Sequence, residues 1–429
     1  MDLENTRSIG KPRINSAALR LAILCMGFYA ISYICRKSFD SNINEIMDYY
    51  GKTKSTVGLI GTFFFIAYAV GQVVHGIMCK YYKPRPMIFT MGLVVAGMNL
   101  LMGIVPQSGF KFLKFIWLVN GFACASFWSL LILTLNRCTA KKHKHLVMIV
   151  ACFPVSTGTF LSYGISALLS FLNQFRYSFY IGCGAMVAAC FIWLVRSKPL
   201  MDACLEERAM CDIEETVAAS ADQKKSSWSK AFIISFVFLA LHSIVNNLIK
   251  DGVSTWTPTI LKETYSMENW VAVLLSVLNP LMSVFGGFIS MRLYRKLHGC
   301  VLLNSILYAF TGAVLGILFV TFRFNLWFVT MGCLIFVSLM MSAVNNTNTS
   351  IFPLNTENVN AGTIAGVIDG FCYVGSALSS YCVGALAEKA QNWNVVFALY
   401  LILAVVCVLS TFLYLALERK HGNTTDTNA

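Results

Sequence analysis

Leu21 to Asp40 reads LAILCMGFYAISYICRKSFD, an unbroken apolar run that ends in Arg36, Lys37 and Asp40. About 20 mostly apolar residues in a helix cross the hydrocarbon core of a bilayer. The run lacks the small-residue cleavage pattern of a removable signal, so it predicts a retained first membrane span. Working outward, eleven further apolar segments follow. The twelve fall at 18–46, 55–79, 86–105, 112–136, 146–171, 177–195, 231–261, 269–291, 300–321, 325–349, 361–387 and 393–417. They are long and continuous, without the two-residue alternation of barrel strands, so helices are expected.

The composition agrees. The chain is 57% apolar and 12% charged, far from the roughly 45–50% and about 25% of soluble domains, which leaves no room for a large soluble domain. The net charge of +13 is spread between apolar runs rather than clustered, which argues against a nucleic-acid partner. The 15 cysteines lie mostly inside apolar runs and form no CxxC or Cys/His cluster, so neither a metal site nor a disulfide framework is expected. No Walker loop, nucleophile triad or metal-ligand set is present; no cofactor and no enzymatic activity are expected.

The longest polar stretch, 198–230, sits near the midpoint and reads as a linker between an N-terminal six-helix bundle, 1–197, and a C-terminal one, 231–429. With the N-terminus placed in the cytoplasm, loop Lys and Arg number 21 on that side and 8 on the other. The positive-inside rule then predicts that both termini and the linker are cytoplasmic. The halves resemble each other. GIMCKYYKPR (Gly76 to Arg85) is matched about 211 residues later by GFISMRLYRKLHG (Gly287 to Gly299), and STGTFLSYG (Ser156 to Gly164) by VGSALSSYCVG (Val374 to Gly384) at nearly the same offset. Such weak repeats mark transporter folds with symmetric halves.

Charges inside spans are expensive and should face the bundle interior. Span one carries Arg36, Lys37 and Asp40; span seven carries Lys250 and Asp251; span eleven carries Asp369. Arg36 and Lys250 are 214 residues apart, on the first helix of each half, and so are pseudo-symmetric candidates for a clamp on an anion. Arg suits phosphate or carboxylate because its planar fork binds them through two hydrogen bonds. The alternative is that the acids Asp40, Asp251 and Asp369 simply neutralise the cations. Lys37 and Asp251 point about 100° away from their neighbours around the helix, which suits pairing or gating, and Lys37 is also a candidate substrate ligand beside Arg36. Tyr33 and Gln72 are further cavity candidates, and His75 is either a packed side chain or a proton relay. Asn246, Asn247, Trp256, Asn345, Asn346, Asn348 and Tyr373 either line the cavity or hydrogen-bond between helices, and Trp128 reads as interfacial or core.

At these residues the sequence resembles the major facilitator superfamily and, within it, the organophosphate:phosphate antiporters, which carry glycerol 3-phosphate, hexose phosphate and glucose 6-phosphate. The motifs are YICRKSF (Tyr33 to Phe39), KDGVSTWTPTILKE (Lys250 to Glu263) and AGTIAGVIDGFCYVGS (Ala361 to Ser376), and the resemblance runs through all twelve spans. It implies a twelve-helix major facilitator fold, Arg36 and Lys250 on the substrate phosphate, and exchange of an organophosphate for inorganic phosphate by alternating access. A sugar-phosphate sensor and a proton-coupled organic-anion symporter are the alternatives. It departs from the family at Gln72, where a Lys is usual in the glycerol-phosphate type, at Pro154 in place of a His, and at WSL (Trp128 to Leu130) in place of Trp-Pro-Pro. Lys80 stands where the superfamily loop usually has an acid. The expected setting is a bacterial inner membrane, crossed many times by a monomer whose partners are an anionic small molecule, inorganic phosphate and membrane lipid.

Overall fold

The computed structural model describes residues 17–78, 81, 83–140, 143, 147, 150–151, 153–215, 230–297, 299–354 and 361–422. The basic residues Arg7, Lys11 and Arg13, the loop residues Cys79, Lys80 and Tyr82, Lys141, Lys142 and Lys144, and the linker stretch 216–229 lie outside the described residues.

Twelve helical segments follow one another: α1 Ala17–Ser41, α2 Lys54–Met78, α3 Pro84–Ile104, α4 Phe110–Cys138, α5 Pro154–Phe171, α6 Tyr177–Glu215, α7 Lys230–Tyr265, α8 Asn269–Leu297, α9 Cys300–Thr321, α10 Trp327–Asn346, α11 Ala361–Leu378 and α12 Asn394–Gly422. Eleven of these segments, all but α5, contain a stretch long and apolar enough to cross a membrane. Bulky apolar side chains such as Val73, Phe191, Phe288 and Phe412 point outward, which suits contact with lipid tails. The chain is a multi-pass membrane protein.

Local chemistry sets the boundaries. Pro84 and Pro154 open α3 and α5 at the first helical positions, where a missing N–H costs nothing. The expected first span, 18–46, divides at Asn42, whose backbone leaves helical geometry; a separate short helix, Ile43–Tyr50, follows and closes on Gly51 at φ 58. Gly51 takes that left-handed cap without a Cβ penalty. α6 runs beyond its apolar part to Glu215, through the first half of the polar stretch. α8 is interrupted at Val277 and again before Gly286. Single π-helical turns, Thr347–Ile351 and Ser379–Val383, extend α10 and α11.

The two halves repeat one packing pattern. In the first, α1 packs on α5, α2 on α4 and α3 on α6; in the second, α7 packs on α11, α8 on α10 and α9 on α12. Between halves α2 packs on α11, and its counterpart α8 packs on α5, the counterpart of α11. We call the side where α1 begins and α12 ends the terminal face, and the other the distal face. Polar contacts between halves run from mid-depth to the distal face. Thr62 donates to the Ala377 carbonyl (2.8 Å), Ser380 to the Gly58 carbonyl (2.8 Å) and Tyr163 to the Ser254 carbonyl (2.9 Å). Further out, Lys262 pairs with Asp48 (2.6 Å) and Lys54 with Glu263 (2.8 Å), and the Ser55 N–H donates to Glu388 (2.9 Å). The distal face is therefore shut.

The seal depends on close approach of α2 to α11. A Cβ on Gly58 would overlap the Ser380 carbonyl, and one on Gly61 the Ser380 hydroxyl. Gly58→Leu should hold these helices apart. A Thr62→Cys thiol, protected in an otherwise wild-type chain without its accessible native cysteines, should then react with an impermeant reagent from the distal side. Gly164→Leu, where a Cβ meets nothing within 4 Å, should leave the thiol protected. Continued protection in Gly58→Leu would contradict the packing account.

Candidate anion site

Arg36 lies in the last two turns of α1, against the middle of α2, and is only 8% exposed. Five aromatic rings surround its guanidinium, with centroids at 5.1 Å (Tyr33), 5.3 Å (Phe64), 5.6 Å (Phe65), 4.7 Å (Tyr68) and 5.4 Å (Tyr373). Helical spacing builds this cage. Tyr33 stands one turn before Arg36, Phe64 and Tyr68 are four residues apart on α2, and Tyr373 crosses from α11 to lie 4.2 Å from Tyr68 between centroids. The guanidinium donates long hydrogen bonds to the hydroxyls of Tyr33 (3.3 Å) and Tyr373 (3.5 Å), and its buried Nε has no partner. No carboxylate pairs with it among the described residues. Ring faces offset part of the lost hydration of a cation, yet the in-plane N–H groups keep donor capacity for an anion.

The neighbouring charges separate into different roles. Lys37 and Asp40 form an ion pair at 2.6 Å, one helical turn apart, with both side chains buried. That pair neutralises itself, so Asp40 does not serve as counterion to Arg36. Lys250 on α7 is half-buried and makes no ion pair among the described residues. Asp251 is 8% exposed and accepts a short hydrogen bond from the Ser376 hydroxyl on α11. Asn247 donates to that hydroxyl in turn (3.2 Å), and Asn246 links Asn247 (3.0 Å) to Asn345 on α10 (3.4 Å). Asp369 is half-buried on α11 and faces the Gln72 amide from α2. Arg36 and Lys250 both lie within electrostatic range of Asp251 and Asp369.

The structure thus brings Arg36, Tyr33, Gln72, Lys250, Asp251 and Asp369 together where α1, α2, α7 and α11 meet, with the Lys37–Asp40 pair beside them. His75 is not in this group. It is buried between α2 and α4, with Nε2 at 3.1 Å from the Phe122 carbonyl and its ring against Phe122. Asn346 and Asn348 hydrogen-bond between helices, to Ser290 (2.7 Å) and Ser243 (2.9 Å). Trp128 packs on Tyr29 in the first half. Phe64, Phe65, Tyr68 and Ser376 were not singled out from sequence. The repeat of rings in TFFFIAY (Thr62 to Tyr68) was the available signal for the first three.

The Lys37–Asp40 pair separates scaffold from site. Asp40→Asn leaves Lys37 buried and unpaired, which should cost about 3–5 kcal/mol. Lys37→Met combined with Asp40→Leu should recover that loss, read as the thermal midpoint of the purified protein. A double variant no more stable than Asp40→Asn would show that Lys37 and Asp40 act separately.

Comparison with known proteins follows the geometry. The profile of the Major Facilitator Superfamily matches residues 25–380. A "Probable hexose phosphate transport protein" of Chlamydia muridarum is 22% identical over 421 residues, covering 89% of this chain and 87% of that one. The "Membrane sensor protein UhpC" of Escherichia coli is 32% identical over 95 residues, 22% of this chain and 21% of that one. Among solved structures, a bacterial homologue of the human lysosomal transporter Spinster, inward-facing and occupied, superposes with a TM-score of 0.74 at 11% identity, over 92% of this chain and 96% of that one. Its likeness is one of fold. With the family profile matching most of its length, and two six-helix halves that repeat one packing pattern, the chain belongs to the Major Facilitator Superfamily.

Proposed function

We propose that the protein exchanges a phosphorylated metabolite of the hexose phosphate class for inorganic phosphate, exposing the Arg36 site alternately to the two faces. The observation that carries this reading is a buried guanidinium paired with no carboxylate among the described residues and held in an aromatic cage between the halves. A planar fork suits a phosphate oxygen pair. Lys250 is a second cation, and it acts on the same carboxylates, Asp251 and Asp369, as Arg36 does. The hexose phosphate relative supports the substrate class.

Exchange follows from the same physics. Turning the empty protein inside out would carry a bare buried cation through the closed state, at a cost of several kcal/mol. A bound anion removes that cost in both directions, so reorientation is fast only when the site is filled. In this reading the distal face is the outer one, and the membrane is the cytoplasmic (inner) membrane with both termini inside.

The test is uptake of labelled glucose 6-phosphate into proteoliposomes, with and without phosphate trapped inside. Trapped phosphate should stimulate uptake, and Arg36→Lys should weaken apparent affinity at least about tenfold, the cost of a charge-assisted hydrogen bond. Uptake indifferent to trapped phosphate would overturn exchange. Unchanged affinity in Arg36→Lys would remove Arg36 from the site. Binding without flux would favour the sensor reading that the UhpC likeness raises.

A further inference from the structure

Glu45 occupies the first turn of the short helix Ile43–Tyr50, beyond the end of α1 and inside the distal seal. Both of its carboxylate oxygens are shielded from water, and neither has a hydrogen-bond partner. Among the described residues, the charged and amide groups around it are engaged elsewhere. On the same helix Asp48 takes the Lys262 amine of α7 at 2.6 Å, and Asn44 bridges Thr259 of α7 (2.7 Å) and Asn269 of α8 (2.6 Å). On α5, the Ser170 hydroxyl accepts from the Asn269 amide at 3.0 Å and keeps one proton, a single neutral donor facing Glu45. The charged groups that face Glu45 are thus Lys262, already paired, and Asp48, of like sign. α5 and α8 present only the neutral Ser170 and Asn269.

An ionised carboxylate with no charged partner of its own, and at most one hydroxyl donor, is strongly unfavourable in such a place. Two outcomes remain: the carboxyl holds its proton, or the halves separate and water reaches it. We infer that Glu45 is a proton-sensitive latch of the distal seal, neutral when the two halves meet there and ionised when they part. Burial pushes the Glu45 carboxyl up from its ordinary value in the closed state, and hydration restores that value when the seal opens. The closed state therefore binds one more proton than the open one. Acid on the distal side favours closure; as pH rises through the raised value, closure weakens and the opening to that side is released. The latch is independent of the substrate and of Arg36.

The experiment uses the full chain in lipid nanodiscs, with spin labels at Lys52→Cys and Asn392→Cys, both exposed and on opposite halves of the distal face, in a background without accessible native cysteines. Double electron–electron resonance then reads the short-to-long distance ratio from about pH 5 to about pH 8, a range that brackets a raised carboxyl. The short distance should dominate in acid. The ratio should fall with rising pH by no more than about tenfold per unit, the limit for one proton. Glu45→Gln should keep the short distance at every pH. Asp48→Asn and Glu263→Gln, which remove other carboxylates of the seal, should retain the pH response. Glu45→Asp gives a second reading should Glu45→Gln fail to fold, and its transition should move to lower pH. A pH-independent distribution in the wild-type chain would overturn the latch, as would a response that survives Glu45→Gln or an unshifted transition in Glu45→Asp.

Discussion

A guanidinium removed from water and paired with no carboxylate among the described residues is the constraint on which the rest of the structure depends. Desolvating such a charge costs several kcal/mol. The five rings around Arg36 recover part of it, each contributing up to about 2 kcal/mol where water is excluded. Two tyrosine hydroxyls add long hydrogen bonds, yet Nε stays bare. Acids are close by, but each is occupied: Asp40 by Lys37, Asp251 by Ser376, while Asp369 faces Gln72. The site is held short of one anion, the place the proposed phosphorylated ligand would take.

The same site lies where the halves meet, since Tyr373 belongs to α11 and the other four rings to α1 and α2. Its completeness therefore depends on the α2–α11 contact, which glycines at 58 and 61 allow to be close. Further out, the seal is made of partly exposed ion pairs. Exposed pairs of this kind are worth at most about 1 kcal/mol each, so they align the halves without locking them. Strong apolar packing remains within each half, where it repeats symmetrically. Firm halves joined by a weak polar rim suit the alternating exposure proposed for the site.

Much of this was legible in the sequence, for identifiable reasons. Long apolar runs define helices almost by length, and a charge inside one is conspicuous, so Arg36, Lys250 and Asp369 stood out. The Lys37–Asp40 pair follows from i,i+3 spacing, although Lys37 also read as a ligand beside Arg36. The rings of α2 did not stand out, because phenylalanine and tyrosine are ordinary in apolar helices; only tertiary packing joins Phe64, Phe65 and Tyr68 to Tyr33 and Tyr373 in one cage. The break at Asn42 was hidden inside an apolar and polar mixture that suits a helix on either side. π-Helical turns in α10 and α11 leave no composition signal. Glu45 lay within the expected first span as one more polar residue at its end, and its isolation is visible only once α5, α7 and α8 are in place.

The central claim is that Arg36 is costly to the empty protein and is stabilised by an anion. Thermal unfolding of the purified protein with and without inorganic phosphate tests it most directly, comparing wild type with Arg36→Gln. The account predicts that the empty variant unfolds at a temperature at least as high as empty wild type, because an uncompensated buried charge has been removed. Phosphate at about 100 times its dissociation constant should stabilise wild type by about 2.7 kcal/mol and leave the variant unmoved. A marked loss of stability in the empty variant, or an equal phosphate-induced shift in both proteins, would contradict it.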